Sequence, residues 1–268
     1  MLAFPNAKIN IGLQVLSKRK DGYHTISSIL YPIPWHDILE IIPYHRLEFE
    51  QSGIEIPGNP DENLCLKAYK LLAQPYGLPP VKIHLHKVIP TGAGLGGGSS
   101  DAAFTLLLLN RMFDLKLSAK KLKEYAGILG SDCPFFIDNL PALASGTGTE
   151  LQVVDLDLKA YFIGIIHPPV HVGTREAYAG VTPSEDKPDL TDLIRQPVSQ
   201  WQSGICNDFE LSVMAAHPEI RQAKSQLQND GAIFTSMSGS GSAVFGLFDR
   251  LPTPAQPYTL TKPLVIQT

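Results

Sequence analysis

The chain has 268 residues, 44% of them hydrophobic, and its 26 acidic and 22 basic side chains give a formal net charge of -4. That composition supplies the core of one large domain or two modest ones, and it excludes the basic field that would attract a nucleic-acid backbone. The apolar run from Ala102 to Leu109 is broken by Thr105 and stops at Asn110 and Arg111, far short of the roughly 20 residues of a membrane span.

The opening MLAFPNAKIN lacks the basic segment, apolar core and small-residue cleavage site of a signal peptide. Three isolated cysteines, Cys65, Cys133 and Cys206, suit a reducing compartment and read as core thiols. A cytoplasmic protein with no membrane and no nucleic-acid partner is expected. Residues 7–17, 25–32, 38–43 and 47–51 are rich in Ile, Leu and Val and bounded by Gly, Pro and Asp, which predicts strands. A helix is predicted over 63–73, then a strand over 81–89 in which Val81, Ile83 and Leu85 alternate with Lys82, His84 and His86. A buried helix over 99–113 and an amphipathic helix over 118–129, capped by Ser118, complete a mixed α+β half.

After the Gly- and Ser-containing stretch 145–148, a strand is predicted over 161–169 and helices over 206–216 and 219–228. Two strand-like runs then flank a second glycine-rich turn, 238–242. The tail carries Pro252, Pro254, Pro257 and Pro263, which oppose a long helix. His84 and His86 share a strand face without a third ligand in view, so they read as structural, and no metal-ligand cluster is expected.

The segment richest in chemical information is PTGAGLGGGSSDAA, residues 90–103, between a strand and a helix. Glycines let successive N–H groups turn onto an anion without Cβ obstruction, and the following helix start adds unpaired donors and a positive dipole end. Pro90, Gly92, Ala93, Gly94, Leu95, Gly96, Gly97 and Gly98 form the candidate phosphate cradle, and Ser99 and Ser100 can add hydroxyls to phosphate or to its metal ion. No lysine follows the glycines, which excludes a GxxxxGK[ST] loop. Gly92, Gly94 and Gly97 fit GxGxxG with Asp114 downstream, but the dinucleotide fold needs a strand after the helix, and 117–129 is again helical.

The same segment resembles the second motif of the GHMP small-molecule kinases. NAKINIGLQVLSKRKDGYHTISSIL (6–30), GSDCPFF (130–136) and SMSGSGSAVFGLF (236–248) are similar to other parts of that family, with fainter echoes at GNPDENL, SGTGTEL, VHVGTREAY and CNDFE. The resemblance implies an α+β, two-domain GHMP kinase fold. A ribosomal protein S5 domain 2-like N-terminal domain, 1–157, would bind ATP and an α/β C-terminal domain would span 158–268. The DGYH and GAGLGGGSSDAA forms imply phosphorylation of the 2-hydroxyl of a cytidine diphosphate-linked methylerythritol in isoprenoid precursor synthesis. Another GHMP kinase, acting on homoserine, mevalonate, a mevalonate phosphate or a sugar, and a non-catalytic nucleotide-binding regulator are the competing readings.

By resemblance, Asp132 accepts or orients the hydroxyl proton and Lys8 stabilises the developing charge, while Asn63 reads the adenine edge. ATP and Mg²⁺ are the implied cofactors. Tyr23, His24 and Tyr178 are the candidates for the cytosine, Asn10 and Thr174 for the methylerythritol diphosphate, and Gly239 and Ser240 for the substrate. The 238–242 turn either closes on the phosphate loop or substrate, or is a tight β-connection without a ligand. The acid of the family's Gly-Ile-Gly-Glu-like stretch is displaced by one here, to Glu150. A monomer or homodimer is expected.

Overall fold

The computed structural model describes residues 1–253 and 257–261. In chain order its strands are β1 (Leu2–Ala3), β2 (Asn6–Lys18), β3 (His24–His36), β4 (Ile38–Pro43), β5 (Glu48–Gly53) and β6 (Val81–Lys87), followed by β7 (Ala142–Ser145), β8 (Glu150–Val153), β9 (Phe162–Ile166), β10 (Phe234–Met237), β11 (Val244–Phe248) and β12 (Thr259–Thr261). The helices are α1 (Leu64–Tyr76), α2 (Gly97–Met112), α3 (Ala119–Leu129), α4 (Phe135–Asp138), α5 (Thr174–Ala179), α6 (Leu190–Leu193), α7 (Val198–Trp201), α8 (Glu210–Ala216) and α9 (Pro218–Asn229). Packing divides the chain into two compact units. The first holds Met1–Ala7, Trp35–Thr91 and Gly96–Leu140; the second holds Lys8–Pro34, Gly92–Leu95 and the described residues from Pro141 on.

In the first unit one sheet runs in the order β1-β4-β6-β5, with β5 parallel to β6 and the other pairs antiparallel. The alternation read in 81–87 has the consequence expected of a strand covered on one face: Val81, Ile83 and Leu85 are fully buried. They pack with Leu39 and Ile41 of β4 against Leu66 and Leu72 of α1 and Leu106 and Leu109 of α2. Asn63 caps α1, its Oδ1 accepting from the Cys65 N–H at 2.9 Å, and the Ser118 side chain caps α3 by accepting from the Lys121 N–H at 3.2 Å.

The second unit contains the sheet β10-β11-β9-β12, whose pairs are all antiparallel. Val244 and Phe248 of this sheet join Phe209, which precedes α8, Val213 of α8, and Ile220 and Leu227 of α9 in one core. A further sheet follows the order β2-β3-β7-β8, and 146–149 turns β7 antiparallel into β8.

Three expectations need correction. The buried helix starts at Gly97 rather than at residue 99, so Gly97 and Gly98 belong to its first turn. Helix α8 starts at Glu210 rather than 206, because the backbone of 206–208 is bridged to Leu13, the Leu13 N–H donating to the Cys206 carbonyl at 3.0 Å and the Asp208 N–H to the Leu13 carbonyl at 2.9 Å, while Asn207 Nδ2 donates to the carbonyls of Met237 and Gly239, each at 2.8 Å. Cys65 and Cys133 are buried as expected, whereas Cys206 is exposed. Pro254 and Pro263 lie outside the described residues, while Thr259–Thr261 form a strand on β9. No helix among the described residues is long and apolar enough to cross a membrane.

Candidate active site

The glycine-rich loop alternates anchors and turns. Ala93 and Leu95 are buried, while Gly92, Gly94 and Gly96 between them take φ of 68°, 77° and 70°. This is the left-handed region in which a side chain is strained. The alternation sinks the methyl and isobutyl groups and turns the intervening backbone. Gly96 is the residue before α2, and helix bonding begins with the Ser100 N–H on the Gly96 carbonyl at 2.9 Å. The first amides of α2 therefore remain without intrahelical partners. The Ser100 hydroxyl is buried and has no hydrogen-bond partner among the described residues.

The second glycine turn, which joins β10 to β11, closes on this loop. Ser238 Oγ donates to the Gly94 carbonyl at 2.8 Å, and the Ala243 N–H donates to the Ala93 carbonyl at 3.1 Å. The fit leaves no room: a Cβ at Gly94 would lie 1.9 Å from the Ser238 carbonyl oxygen. Gly239, with φ of 57°, approaches Gly94 and Asn10, and Ser240 beside it is half-buried. Gly94→Ala is expected to cost on the order of 3 kcal/mol through left-handed strain plus overpacking, and to lower kcat/KM by at least about tenfold. Urea melts and steady-state kinetics check it. Gly98→Ala, whose Cβ would meet only Leu64 Cδ1 at 3.9 Å, should leave folding stability equal or raise it by roughly 0.5–1 kcal/mol.

Behind the same loop, β2 carries a buried polar ladder. Lys8 Nζ donates to Asn10 Oδ1 at 2.5 Å, Asn10 Nδ2 donates to Ser28 Oγ at 2.8 Å, and Ser28 Oγ donates to the Gly12 carbonyl at 2.7 Å. The Lys8 N–H donates to the Leu95 carbonyl at 2.9 Å, and the Asn10 N–H donates to Ser238 Oγ at 3.2 Å. The structure thus brings Lys8, Asn10, the 92–95 loop and Gly239 together. Ser28, Asn207 and Ser238, which hold this arrangement, lie inside the family-like stretches 6–30, 206–210 and 236–248 but are not among the predicted site residues.

Asp132 lies in the turn between α3 and α4, whose backbone is tied by Gly130 N–H to Ala126 O at 3.2 Å and Cys133 N–H to Gly130 O at 3.2 Å. That turn packs on the start of α2. The Ser99 hydroxyl interacts with the Cys133 thiol, and a Cβ at Gly130 would lie 3.4 Å from Cys133 Sγ and 4.0 Å from Ser99 Oγ. The acid-bearing turn and the helix N-terminus are therefore neighbours within one unit.

On the other side of α2, a cavity of about 240 Å³ is lined by Gln51, Ile56, Asn63, Leu64, Lys87 and Asp101, among others. Asn63 Oδ1 accepts the α1 cap bond, and its amide N–H groups are donors that can meet a ligand. Lys87 continues the inward phase of β6 and is fully buried between two carboxylates, Asp37 and Asp101, the latter 2.8 Å away. Asp37 Oδ1 also accepts from the N–H groups of Val88 at 2.6 Å and Ile89 at 2.8 Å, whereas Asp101 Oδ1 has no partner among the described residues. Burial pushes the Asp101 carboxyl up to about 7, against the pull of Lys87 and with the added repulsion of Asp37. Sequence alternation could have flagged this cluster, since it places a lysine at a core position that requires acid partners.

In the second unit, His24 and Tyr178 stack with ring centroids 4.6 Å apart and planes 13° from parallel, and Tyr178 also meets Phe209 edge-on at 4.8 Å. Tyr23 beside them is 68% exposed, a large aromatic left in solvent. Thr174 is exposed at the first position of α5, a helix the sequence reading did not anticipate. Lys18 and Arg19 are exposed at the end of β2, Arg19 paired with Asp21 at 3.0 Å. Glu150 is exposed in β8 and folds back on the Gly146 turn. His84 Nε2 and His86 Nδ1 share the Ser52 hydroxyl, at 3.0 and 2.9 Å.

Comparison with known proteins agrees over most of the chain. Residues 63–146 match the model of the GHMP kinases N terminal domain and residues 190–256 that of the GHMP kinases C terminal. A 4-diphosphocytidyl-2-C-methyl-D-erythritol kinase of Cytophaga hutchinsonii is 53% identical over 253 residues, 94% of each chain. One of the same name from Bacteroides fragilis is 51% identical over 252 residues, 92% of each. A crystal structure of 4-(cytidine 5'-diphospho)-2C-methyl-D-erythritol kinase superposes with a TM-score of 0.80 at 33% identity, covering 92% of this chain and 90% of the other. The glycine loop at the start of α2, the second glycine turn locked against it and this similarity over more than nine-tenths of the chain have one common explanation: the chain belongs to the GHMP kinase family.

Proposed function

We propose that this chain transfers the γ-phosphoryl group of ATP to the 2-hydroxyl of 4-diphosphocytidyl-2-C-methyl-D-erythritol, in the non-mevalonate route to isoprenoid precursors. The observation that carries the reading is the 53% identity over 94% of both chains to a relative bearing that enzyme's name. The family matches at 63–146 and 190–256 support an ATP-binding domain over 1–157 and a C-terminal domain over 158–268.

Phosphoryl transfer asks the protein for positioning and charge stabilisation rather than covalent chemistry. In this reading the turned backbone of 90–96 and the first amides of α2, with Ser99 and Ser100, hold the phosphates of ATP. The buried, orphaned hydroxyl of Ser100 suits an oxygen-preferring ligand, and Mg²⁺ takes few protein groups beside phosphate oxygens. Bound there, Mg²⁺ would neutralise charge on the triphosphate. The base sits in the cavity beside Asn63, whose amide donates to it.

Asp132 takes the proton from the attacking hydroxyl, and the Lys8 ammonium offsets the charge that grows on that oxygen. Asn10, Thr174, Gly239 and Ser240 contact the methylerythritol diphosphate. The cytosine stacks on the Tyr23, His24 and Tyr178 rings. At 4.6 Å the His24–Tyr178 pair has no space for a third ring between its members, so the base lies on an outer face or parts the pair. Tyr23→Ala is expected to raise the KM for the cytidyl substrate roughly tenfold by removing a stacking face, with the KM for ATP unchanged. Unaltered substrate KM takes Tyr23 out of the pocket.

The test is ADP release by purified protein with Mg-ATP, offering 4-diphosphocytidyl-2-C-methyl-D-erythritol beside homoserine, mevalonate and galactose. Release with the cytidyl substrate alone is expected. Release with another alcohol moves the specificity, and silence with all four despite ATP binding favours a regulator on the same fold.

A further inference from the structure

Outside the residues assigned so far, one exposed imidazole reaches the phosphate loop. The ring of His171 lies over Gly92: a Cβ at that glycine would be 3.2 Å from Nδ1 and 3.3 Å from Cε1. The imidazole thus fills the space a side chain at the first loop glycine would take. The segment that carries it is held to the glycine turns by its own bonds. Ser242 Oγ donates to the Pro168 carbonyl at 3.1 Å, and the next residue, Ala243, donates its N–H to Ala93, the neighbour of Gly92. The Val170 N–H bends back on the Pro168 carbonyl at 2.8 Å, which sends the chain toward His171. Three residues later comes Thr174.

An imidazole offers an N–H donor, and when protonated a charge, to a phosphate oxygen. Glu176, on the same segment, is bonded to another imidazole: its Oε1 lies 2.8 Å from His217 Nε2, and that bond, with weaker help from His171, holds its carboxyl below the usual range. We infer that His171 is a further ligand-binding residue, donating an imidazole N–H to a phosphate oxygen held by the loop beside Gly92. This rests on the reading of 90–96 as a phosphate loop, and the phosphate can belong to ATP or to the diphosphate of the second substrate.

Steady-state kinetics of His171→Ala and His171→Asn separate these sources. Loss of one charge-assisted bond predicts about a tenfold rise in the KM of the reactant that carries the phosphate, with the other KM unchanged. A rise for ATP assigns the triphosphate, and a rise for the cytidyl substrate assigns its diphosphate. The Asn amide nitrogen takes the place of Nδ1 and should restore most of the loss, while thermal midpoints match wild type because the side chain is exposed. Calorimetric titration of wild type and His171→Ala with inorganic pyrophosphate keeps the inference separate from the assigned reaction: weaker binding by the variant supports it even if wild type phosphorylates none of the four alcohols. Both KM values and pyrophosphate affinity within twofold of wild type would overturn it, as would a loss that Asn fails to restore.

Discussion

Replacing Asp132 with Asn is expected to lower kcat by about a hundredfold or more while ATP binding, followed by fluorescence or calorimetry, stays within a few-fold of wild type. The amide keeps the size of the carboxylate and one hydrogen-bonding oxygen but cannot accept a proton. A neutral alcohol is a poor nucleophile, so the deficit falls on the transition state and lowers kcat and kcat/KM together. Geometry supports the size of the effect. The turn that carries Asp132 is pinned by backbone bonds on both sides of Gly130, with Cys133 buried against Ser99 at the start of α2. The side chain therefore sits on rigid backbone beside the helix N-terminus rather than on a mobile loop. Near-normal turnover by the variant would remove Asp132 from the chemistry.

Lys87→Met is expected to destabilise the fold by about 3–5 kcal/mol, because it strands two buried carboxylates that now share one ammonium. The thermal midpoint should drop on the order of 10 °C. Asp101→Asn should be tolerated far better. Burial already favours the proton on Asp101, whose carboxyl is pushed up to about 7, so a neutral isostere resembles its preferred state. The sign of the pH dependence follows. A group whose folded pKa lies above its unfolded value of 3.8 contributes stability that is complete below that value and is lost as pH climbs toward 7. In chemical denaturation from pH 4 to 7, wild type should lose stability relative to Asp101→Asn. A parallel pH course for the two proteins would show that Asp101 carries no proton in the native state.

The local periodicities carried much of the architecture. Alternation in 81–87 announced β6 and its buried face, and the amphipathic spacing with Ser118 announced α3 together with its cap. What misled was composition read without context. Gly97 and Gly98 look like loop residues because glycine is a poor helix former. Both lie in the first turn of α2, and Gly97 is required there because a Cβ would be 2.8 Å from Lys87 Nζ and 3.0 Å from Ile89 Cγ2. Residue type makes Cys206 a core thiol, yet it is exposed and its neighbour Asn207 is the one turned inward, onto the carbonyls of Met237 and Gly239.

By itself the sequence determined the α+β class, the family and the two glycine turns, since these depend on residue types at fixed short spacing and on backbone freedom that only glycine supplies. Only the tertiary structure decided which of those pieces meet. Ser238 bonds Gly94 across 144 positions, Asn10 bonds Ser238 across 228, and Lys87 finds Asp37 across 50. Such partners are chosen by chain topology and by the cost of leaving a buried polar group unpaired, and neither is written in local pattern. The same holds for His171, an unremarked histidine in the sequence that the fold lays over the first glycine of the loop.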